Sequence, residues 1–516
     1  MVFSLADTLA SADSDAVLAL VAALPTSSPL DLRLDPAPLS YTARRALELF
    51  QQRAATARLA VAYGTSRLDR VRLCVCGPEQ VGKTTLVRAL GGKVNQRQDS
   101  RTVGIDILML RLDAAAFSVW DFAGQPEFYV THELLLANPG GMASAVYVVV
   151  VSLAQDPAER EATLKYWLRF IASRTASHSG ELPQVVLVVT HADAAGADVS
   201  AAAAGGLTSK WATLQLSEAR AVFGGKLQLL DKPVVLDLRR GSSSLGLRGL
   251  TAALQKAYDT VVATAAVVPN CCSALLELMP ELRDLTRLAS VSDFFALAAR
   301  YQPVGLISQF RSLFGLSKAK AVHVAALATV QRDILSYLAA MGEIICFPQM
   351  ARLADAVVLN PRWLTIDLLG SLLAPEILRQ STPAATINIG PDGAVLRRQV
   401  AALIEPAAWA DVVIEILCHL DLCFARDASL VLPSCLQTSQ PEGLWMPAEP
   451  LALHYLGRRV LCMQDWDMLS AGLFPRLQTV IQKMLSQSLP PRHPLLWRGG
   501  LYAKVDSDVE LHITLT

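Results

Sequence analysis

The chain has 516 residues, of which 52% are apolar and 18% charged, so a disordered or fibrous protein is excluded and about three globular domains are expected. Lysine plus arginine and aspartate plus glutamate each number 46, and a net charge of zero provides no general attraction to nucleic acid or acidic lipid. The nine cysteines lack the spacing of a zinc site, so we interpret them as free thiols in a reducing compartment.

Residues 1–68 are predicted to form a helical lead-in to the next domain. Residues 4–24 and 41–63 have the apolar spacing of helices, and a proline-bearing connector separates them at 25–38. Gly64 is a suitable residue to end the second helix. No side chain in this part has a recognisable chemical role, and we expect the second helix to pack on the following domain.

The apolar runs of the chain bear on its location. The run at 16–24 follows acidic residues instead of the basic region of a secretory signal. The longest later run, at 143–154, is shorter than the roughly 20 residues that a membrane span requires. We therefore expect a cytoplasmic protein without a transmembrane segment.

Residues 69–262 alternate between strand-like and helix-like segments. Strands are predicted at 71–76, 105–112, 117–122, 145–152, 184–190 and 233–238. Helices are predicted at 127–137, 159–173 and 247–263, with one more between the last two strands. Near-continuous valine and leucine is typical of strands covered on both faces, so the predicted fold class is α/β with a doubly wound sheet.

The first predicted strand leads into a glycine-bounded loop. The sequence GPEQVGKT at 77–84 matches the phosphate-loop pattern G-x-x-x-x-G-K-[ST] at every fixed position. Its glycines let backbone N–H groups turn inward toward phosphate oxygens at a helix N-terminus, where a lysine reaches the β- and γ-phosphates. The alternative, a chance glycine turn before a helix, is disfavoured by the flanking strand and helix. The candidate nucleotide contacts here are Gly77, Gln80, Val81, Gly82, Lys83, Thr84 and Thr85.

Magnesium ligands are predicted at three places in this domain. Thr84 supplies the hydroxyl of the phosphate loop, and Thr102, just before the second strand, can complete the Mg²⁺ shell when a γ-phosphate is bound. A threonine at that place is by itself more often a simple turn residue. Asp121 ends the strand FSVWDF, where its carboxylate can hold Mg²⁺ through a water molecule.

The segment after Asp121 is the candidate catalytic loop. The amide of Gly124 can contact the γ-phosphate, and Gln125 can orient the attacking water. The alternative is an ordinary surface turn after a strand, which the upstream phosphate loop disfavours.

The segment THAD at 190–193 ends the strand VVLVVT. The Asp193 carboxylate can accept hydrogen bonds from N1–H and the 2-amino group of guanine, a donor pair that adenine lacks, so it would select GTP over ATP. Thr190 and His191 are candidate nucleotide contacts in the same loop. The alternative role for Asp193 is that of a helix N-cap.

Together, GPEQVGKT, TVGID, DFAGQPEFYVTH and THAD resemble the Ras-like Roc GTPase domain of the Roco family, which includes leucine-rich-repeat kinases and death-associated protein kinases. The resemblance implies a Ras-like fold that binds GTP or GDP with Mg²⁺. Ordinary small GTPases have Asn-Lys-x-Asp where this chain has Thr-His-Ala-Asp, a variant that Roc domains often share. The asparagine that braces the loop and the lysine stem that covers the base are thereby missing. The final base-contacting loop is expected at 239–243, without a Ser-Ala-Lys pattern.

Residues 263–440 are predicted to contain winged-helix units. A helix ends at Gly342 and a strand runs into a new helix at 356–364, with Pro361 in its first turn. A second copy is expected over 414–433. The helices carry few basic residues, which disfavours DNA binding. VVLNPRWL and LCHLDLCFARDASLVLPSCL resemble the COR domain that follows Roc in Roco proteins.

Residues 441–516 are predicted to be β-rich around a helix at 473–486. A strand is expected at 458–463, and a hairpin over 497–503 and 509–515. GRRVLC, GLFPRLQ and LLWRGGLYAK resemble the C-terminal half of COR in death-associated protein kinases, which implies a homodimer through this part. Neither a kinase catalytic set nor leucine-rich or ankyrin repeats are recognisable.

The hypothesis from the sequence is a GTP-binding switch with slow, Mg²⁺-dependent GTP hydrolysis, coupled to a COR dimerisation and interaction module in signalling. One alternative is a nucleotide-binding scaffold that hydrolyses little. Another is the Roc–COR part of a larger Roco kinase. A third, an ATP-dependent switch, is disfavoured by the position of Asp193 after the fifth strand.

Overall fold

The computed structural model describes residues 2–4, 14–23, 31–33, 41–67, 70–92, 105–122, 124, 145–175, 182–194, 196–201, 207–264, 268–301, 321–347, 350, 352–369, 387–390, 392–441, 468, 473–488, 493–505 and 510–514. The helix predicted at 127–137 and the strand predicted at 458–463 lie outside these residues. The chain divides into two compact units, the first comprising 1–99, 107–121 and 136–361, and the second 100–106, 122–135 and 362–516.

The strands up to residue 361 are β1 Val2–Ser4, β2 Asp31–Arg33, β3 Thr65–Ser66, β4 Val71–Cys76, β5 Ile105–Leu112, β6 Ala115–Phe122, β7 Ala145–Ser152, β8 Gln184–Thr190, β9 Val199–Ala201, β10 Leu207–Ser209, β11 Gln228–Leu229, β12 Val234–Val235, β13 Val268–Pro269, β14 Leu288–Ser290, β15 Ile345–Cys346 and β16 Ala356–Val358. The α-helices over the same part are α1 Ser14–Ala23, α2 Tyr41–Tyr63, α3 Lys83–Leu90, α4 Pro157–Thr175, α5 Lys210–Phe223, α6 Leu247–Thr264, α7 Asn270–Leu285, α8 Val291–Arg300 and α9 Ala321–Ala340.

A seven-stranded sheet organises the first unit. Its order is β11-β8-β7-β4-β6-β5, and β12 pairs directly with β8, further along that strand than β11 does. The pairs β4–β6, β4–β7, β7–β8 and β8–β12 are parallel. Strands β4, β7 and β8 are buried along their whole length, as their continuous apolar sequences predict. The α/β, Ras-like doubly wound fold expected from the sequence is thus confirmed.

The sheet positions three loops at one edge. Parallel strands β4, β6 and β8 all end on the same side; the phosphate loop follows β4, residues 191–194 follow β8, and residue 121 lies at the end of β6. The carboxyl edge of a parallel sheet is where such folds bind ligands. The sequence reasoning placed the motifs at this edge, and the strand pairing brings them together.

The N-terminal prediction is partly wrong. Residues 2–4, the last of which was expected to be helical, form a strand that pairs in parallel with β2, and α1 is described over Ser14–Ala23. Helix α2 has the predicted bounds and ends at Gly64, whose φ of 73° is in the left-handed region that favours glycine at a helix end. Its partner is α9, joined by two hydrogen bonds from the Arg58 guanidinium to the Asp333 carboxylate at 2.8 and 2.7 Å.

One hydrophobic core continues from the sheet into the helices after it. Val71 of β4 and Val146 of β7 belong to the same buried cluster as Met279 of α7 and Leu338 of α9. The predicted domain boundary between 262 and 263 therefore crosses a continuous core. As a division between sequence modules it stays a prediction.

Two three-stranded antiparallel sheets repeat one topology. The first has the order β14-β16-β15, with α8 and α9 between its first and second strands in the sequence. The second unit contains β17 Ala394–Leu396, α10 Arg397–Ala401, α11 Ala410–His419, β18 Phe424–Arg426 and β19 Ser429–Val431, with the order β17-β19-β18. Among the described residues, both sheets thus combine a strand, helices, a second strand and a returning strand, and the assignment of winged-helix units stays a prediction.

The rest of the second unit pairs a helix with a small sheet. It contains a π-helical segment Trp363–Leu369, helix α12 Leu473–Ser486, and strands β20 Leu495–Trp497, β21 Gly500–Lys504 and β22 Glu510–Thr514. The sheet is antiparallel, so the predicted hairpin gains a third strand. Gln478 of α12 donates through Nε2 to the carbonyls of Trp497 and Gly500 at 2.7 and 2.9 Å.

Among the helices that the structure describes, none has both the length and the apolar character of a membrane span.

Candidate nucleotide-binding site

The phosphate loop has the backbone that its two glycines predict. Gly77 has φ 152°, and a Cβ there would lie 2.4 Å from the Val150 carbonyl oxygen, so no other residue fits without moving β7. Gly82 has φ 88° in the left-handed region and stands immediately before α3. Gln80 also has a positive φ of 62°. Positive φ values in a loop that leads into a helix N-terminus are typical of a backbone that cradles phosphate.

Lys83 is buried at the start of α3. Its side chain is 6% exposed, and Nζ donates to the carbonyl of Pro78 at 2.5 Å. Burial lowers the pKa of Lys83 from its ordinary value of 10.5 to about 8, although the Asp121 carboxylate opposes that change. A buried ammonium held by a loop carbonyl is positioned to exchange that partner for phosphate oxygens.

Thr84 and Asp121 meet as the sequence predicts. Register between β4 and β6 pairs Val75 with Asp121, which places the carboxylate beside the loop that follows β4. The Thr84 hydroxyl donates to Asp121 Oδ2 at 2.6 Å, and Asp121 is 1% exposed. A hydroxyl and a carboxylate are the hard oxygen ligands that Mg²⁺ prefers, and a buried carboxylate benefits from a cation. These residues therefore fit the magnesium ion that the motif implies.

Other predicted ligands cannot be placed with this pair. Thr102 and Gln125 lie outside the described residues, so their roles stay predictions. Gly124 is buried three residues after Asp121. Its predicted amide contact with a γ-phosphate stays a prediction as well, and so does the nucleotide contact assigned to Thr85.

The Thr190 side chain supports the phosphate loop. Its buried hydroxyl lies 2.7 Å from the Val81 carbonyl oxygen and 3.2 Å from that of Val151. Its methyl group and a Leu238 methyl flank Gly82. The sequence comparison with Asn-Lys-x-Asp suggested that the brace was lost. The structure shows instead that the threonine hydroxyl makes this connection between the end of β8 and the loop.

His191 turns the chain out of β8. Its φ of 54° is left-handed, and its Nδ1 lies 2.8 Å from Ser152 Oγ and 3.2 Å from Thr190 Oγ1. The Ala192 amide donates to the Leu236 carbonyl at 3.2 Å. The ring is therefore held against the end of β7. Its assignment as a nucleotide contact stays a prediction.

Asp193 lies in a short 3₁₀ turn, Ala192–Ala194, with its side chain 33% exposed. The alternative role as an α-helix N-cap is not observed, because the described chain continues into a second 3₁₀ turn, Gly196–Asp198. Arg239 Nη1 lies 3.6 Å from Asp193 Oδ2. The carboxylate thus remains accessible beside a cation.

The loop expected to make the last base contact is a 3₁₀ helix, Leu238–Ser243. The strand predicted at 233–238 is shorter than expected, since β12 ends at Val235 and Asp237 caps this helix by accepting from the Arg239 amide at 3.2 Å. No role was predicted for Asp237, although an Asp three residues before an Arg-Gly turn is a typical capping signal.

Comparison with known proteins identifies the sheet domain. Residues 72–193 match the family described as Ras of Complex, Roc, domain of DAPkinase. Protein TORNADO 1 of Arabidopsis thaliana is 24% identical over 475 residues, which cover 81% of this chain and 31% of that protein. Death-associated protein kinase dapk-1 of Caenorhabditis elegans is 21% identical over 437 residues, covering 82% and 28%. The chain thus spans about a third of the length of these relatives.

A solved structure, that of Methanosarcina barkeri Roco2 RocCORdC bound to GDP, aligns with 72% of this chain and 98% of its own chain, at 16% identity and a TM-score of 0.45. The family match and the sequence relatives confirm the resemblance to Roco-type proteins that the motifs predict.

Proposed function

Residues 72–193 match the Roc domain family, and from that premise we propose that the chain is a guanine-nucleotide switch that binds GTP and GDP with Mg²⁺ and hydrolyses GTP slowly. One observation carries the proposal: the Thr84 hydroxyl and the buried Asp121 carboxylate, 2.6 Å apart, stand at the mouth of a loop whose lysine is also buried. Hydroxyl, carboxylate and ammonium in this arrangement suit a magnesium triphosphate.

Each residue would have a separate task in this function. Backbone N–H groups of residues 80–85 bind the phosphates, and the Lys83 ammonium leaves the Pro78 carbonyl for the β- and γ-phosphate oxygens. Thr84 would ligate Mg²⁺ directly, while Asp121 holds a water of its shell. The Mg²⁺ that Thr84 and Asp121 would hold would supply positive charge against the charge that develops on the transferred phosphoryl group.

Nucleotide choice is proposed to depend on Asp193. The carboxylate is partly exposed after the strand β8, and accepts from guanine N1–H and the 2-amino group. We expect GTP and GDP to bind far more tightly than ATP, and Asp193→Asn to reduce this preference at least tenfold, because an amide cannot accept both donors as a charge does. Competition against a fluorescent guanine nucleotide measures both affinities. Asp259→Asn, an exposed carboxylate change on α6, is the control. Equal competition by ATP and GTP would contradict the guanine assignment.

Hydrolysis is proposed to depend on Gln125 as the residue that orients water. An unaided Ras-like site turns over on the order of 10⁻⁴ to 10⁻³ per second. We expect Gln125→Leu to slow single-turnover hydrolysis while GTP affinity stays unchanged. Identical rates in both proteins would remove the catalytic role and favour the alternative, a scaffold that binds nucleotide and hydrolyses little. Since relatives are about three times longer, the switch could also operate within a larger kinase.

A homodimer through residues 441–516 is the last part of the proposal. Helix α12 buries the polar side chains Gln478, Thr479 and Gln482, whereas Val480 and Met484 are 40% and 66% exposed. Amide groups on the inner face satisfy strand carbonyls, which leaves apolar side chains on the outer face. A second copy using the same patch would bury them symmetrically.

Light scattering over a concentration series, with GDP and with a non-hydrolysable GTP analogue, tests the dimer. We expect a dimer whose dissociation constant depends on the nucleotide, since linkage makes any such coupling reciprocal. Met484→Asp should weaken it, because a charge would be buried in an apolar contact. Val61→Asp, on an equally apolar exposed site of α2, should not. A monomer under both conditions up to tens of micromolar would remove the dimer from the proposal.

A further inference from the structure

We infer that Arg239 and Asp193 form one base-reading site, in which Asp193 accepts from the guanine N1–H and 2-amino groups while Arg239 donates to guanine O6. This inference rests on the proposed function, and it names the missing base-contacting residue. Residues 239–243 lack the Ser-Ala-Lys pattern of the base-contacting loop, and Arg239 would make the base contact instead.

The Arg239 guanidinium is fixed on one side. Its Nε donates to Asp237 Oδ1 at 2.8 Å and its Nη2 donates to Asp237 Oδ2 at 2.5 Å, a bidentate pair with good geometry. Asp237 is itself held, because its Oδ1 also accepts from the Arg239 amide. A side chain that is 66% exposed is thereby given a single orientation, with Nη1 pointing to Asp193.

Backbone hydrogen bonds join the segment that carries Arg239 to the segment at the end of β8 that carries Asp193. The Leu236 amide donates to the Val189 carbonyl at 2.8 Å, and the Ala192 amide donates to the Leu236 carbonyl at 3.2 Å. Gly246 closes the far end with φ 85°, at a position where a Cβ would lie 2.1 Å from the Val235 carbonyl oxygen. Asp193 and Arg239 therefore belong to neighbouring segments with fixed spacing.

The charges match the edge of guanine. The guanidinium of Arg239 faces two carboxylates, those of Asp237 and Asp193. Because the bidentate pair with Asp237 balances the charge of Arg239, the Asp193 carboxylate can accept hydrogen bonds from the base. Nη1 stands 3.6 Å from Asp193 Oδ2, beyond a short hydrogen bond, with N–H groups to donate. An acceptor beside a donor complements the guanine sequence of 2-amino donor, N1–H donor and O6 acceptor. Adenine places an amino donor where O6 would be, directly against the guanidinium.

The test measures affinity of the full chain for four probes: GDP, inosine diphosphate, 2-aminopurine riboside diphosphate and inorganic triphosphate. The first two carry O6, the third lacks it, and the fourth has no base. Arg239→Met keeps the aliphatic stem and removes every donor. We expect it to weaken GDP and inosine diphosphate roughly tenfold to a hundredfold, the effect of one charge-assisted hydrogen bond, and to leave the other two probes within about twofold.

Matched variants separate the inference from the proposed function. Arg220→Ala removes another exposed arginine, which pairs with Asp231 on the surface, and should change none of the four affinities. Arg239→Lys should not restore GDP binding, because an ammonium cannot make the bidentate contact with Asp237. If the unmodified protein binds none of the nucleotides, the proposed function fails. If it binds GDP and Arg239→Met has no effect, tightens GDP, or weakens all four probes equally, the Arg239 assignment is overturned.

Discussion

Replacing Lys83 with alanine should weaken GTP and GDP binding at least a hundredfold, which corresponds to about 2.7 kcal/mol. The lysine is the cation at the phosphate loop and is 6% exposed, so water cannot take its place beside the phosphates. Thr84→Asn should act in the same direction by disturbing the pair with Asp121. Titration with a fluorescent nucleotide in the presence of Mg²⁺ measures both effects.

The Lys83 variant should keep the fold. Burial disfavours the charged form of this lysine, so removing it relieves a desolvation cost in the nucleotide-free protein. Circular dichroism and the thermal midpoint should therefore be unchanged or slightly improved. Lys256→Ala, which removes an exposed lysine paired with Asp231, is the matched control and should leave affinity unaltered. Unchanged affinity in both Lys83→Ala and Thr84→Asn would mean that the loop is only structural.

The same lysine makes binding pH-dependent. In the free protein its pKa is about 8, below the ordinary 10.5 that the unfolded chain retains, so between these values the unfolded state binds more protons and stability rises with pH. Phosphate raises the pKa again, so nucleotide binding above pH 8 must take up a proton. Affinity should then fall by up to about tenfold per pH unit above pH 8. Calorimetry in two buffers of different ionisation enthalpy at pH 7 and pH 9 detects the uptake, and its absence would place the Lys83 pKa elsewhere.

The elements that the sequence predicted best are those specified locally. The strand before the phosphate loop, the loop itself and the start of α3 are contiguous in the sequence. The valines favour an extended strand, and the glycines permit the left-handed backbone that precedes the helix. Helix α12 was predicted with its observed bounds for the same reason. Which of its faces is buried was not predictable, because the burial of Gln478 depends on carbonyls that lie 19 and 22 residues away.

The candidate site also depends on contacts between segments that are far apart in the sequence. Thr190 supports the loop from 109 residues away, and that contact exists only because β8 ends beside β4 across β7. Arg239 lies beside Asp193 because β12 pairs with β8. The sequence of a two-residue strand is too short to predict that pairing. The motifs therefore named the residues proposed to bind phosphate and metal, whereas the contacts of Thr190 and Arg239 depend on the strand pairing of the sheet.

Replacing Gly342 with alanine should destabilise the first unit by about 3 kcal/mol, the sum of a left-handed backbone cost and a steric overlap. Gly342 ends α9 with φ 73°, and a Cβ there would lie 2.4 Å from Trp120 Cζ2 and 2.6 Å from Arg72 Nη2. Neither neighbour can retreat easily. Arg72 stacks over the Trp120 ring at 4.6 Å and donates to the Ala340 carbonyl at 2.9 Å, and both side chains are buried.

The expected consequence reaches the proposed magnesium site, because Trp120 immediately precedes Asp121 on β6. Displacing the ring should shift the carboxylate from Thr84 and lower the affinity for Mg²⁺–GTP, in addition to lowering the denaturant midpoint. Gly92→Ala is the control: φ is 70° there and no atom of the described residues lies within 4 Å of the added Cβ, so the backbone cost of about 1–2 kcal/mol is expected. Chemical denaturation and nucleotide titration of both variants separate the two costs. Equal loss of stability in the two variants would show that the ring and the guanidinium accommodate the methyl group. Lowered stability with unchanged Mg²⁺–GTP affinity would show that helix α9 supports the fold without influencing the site.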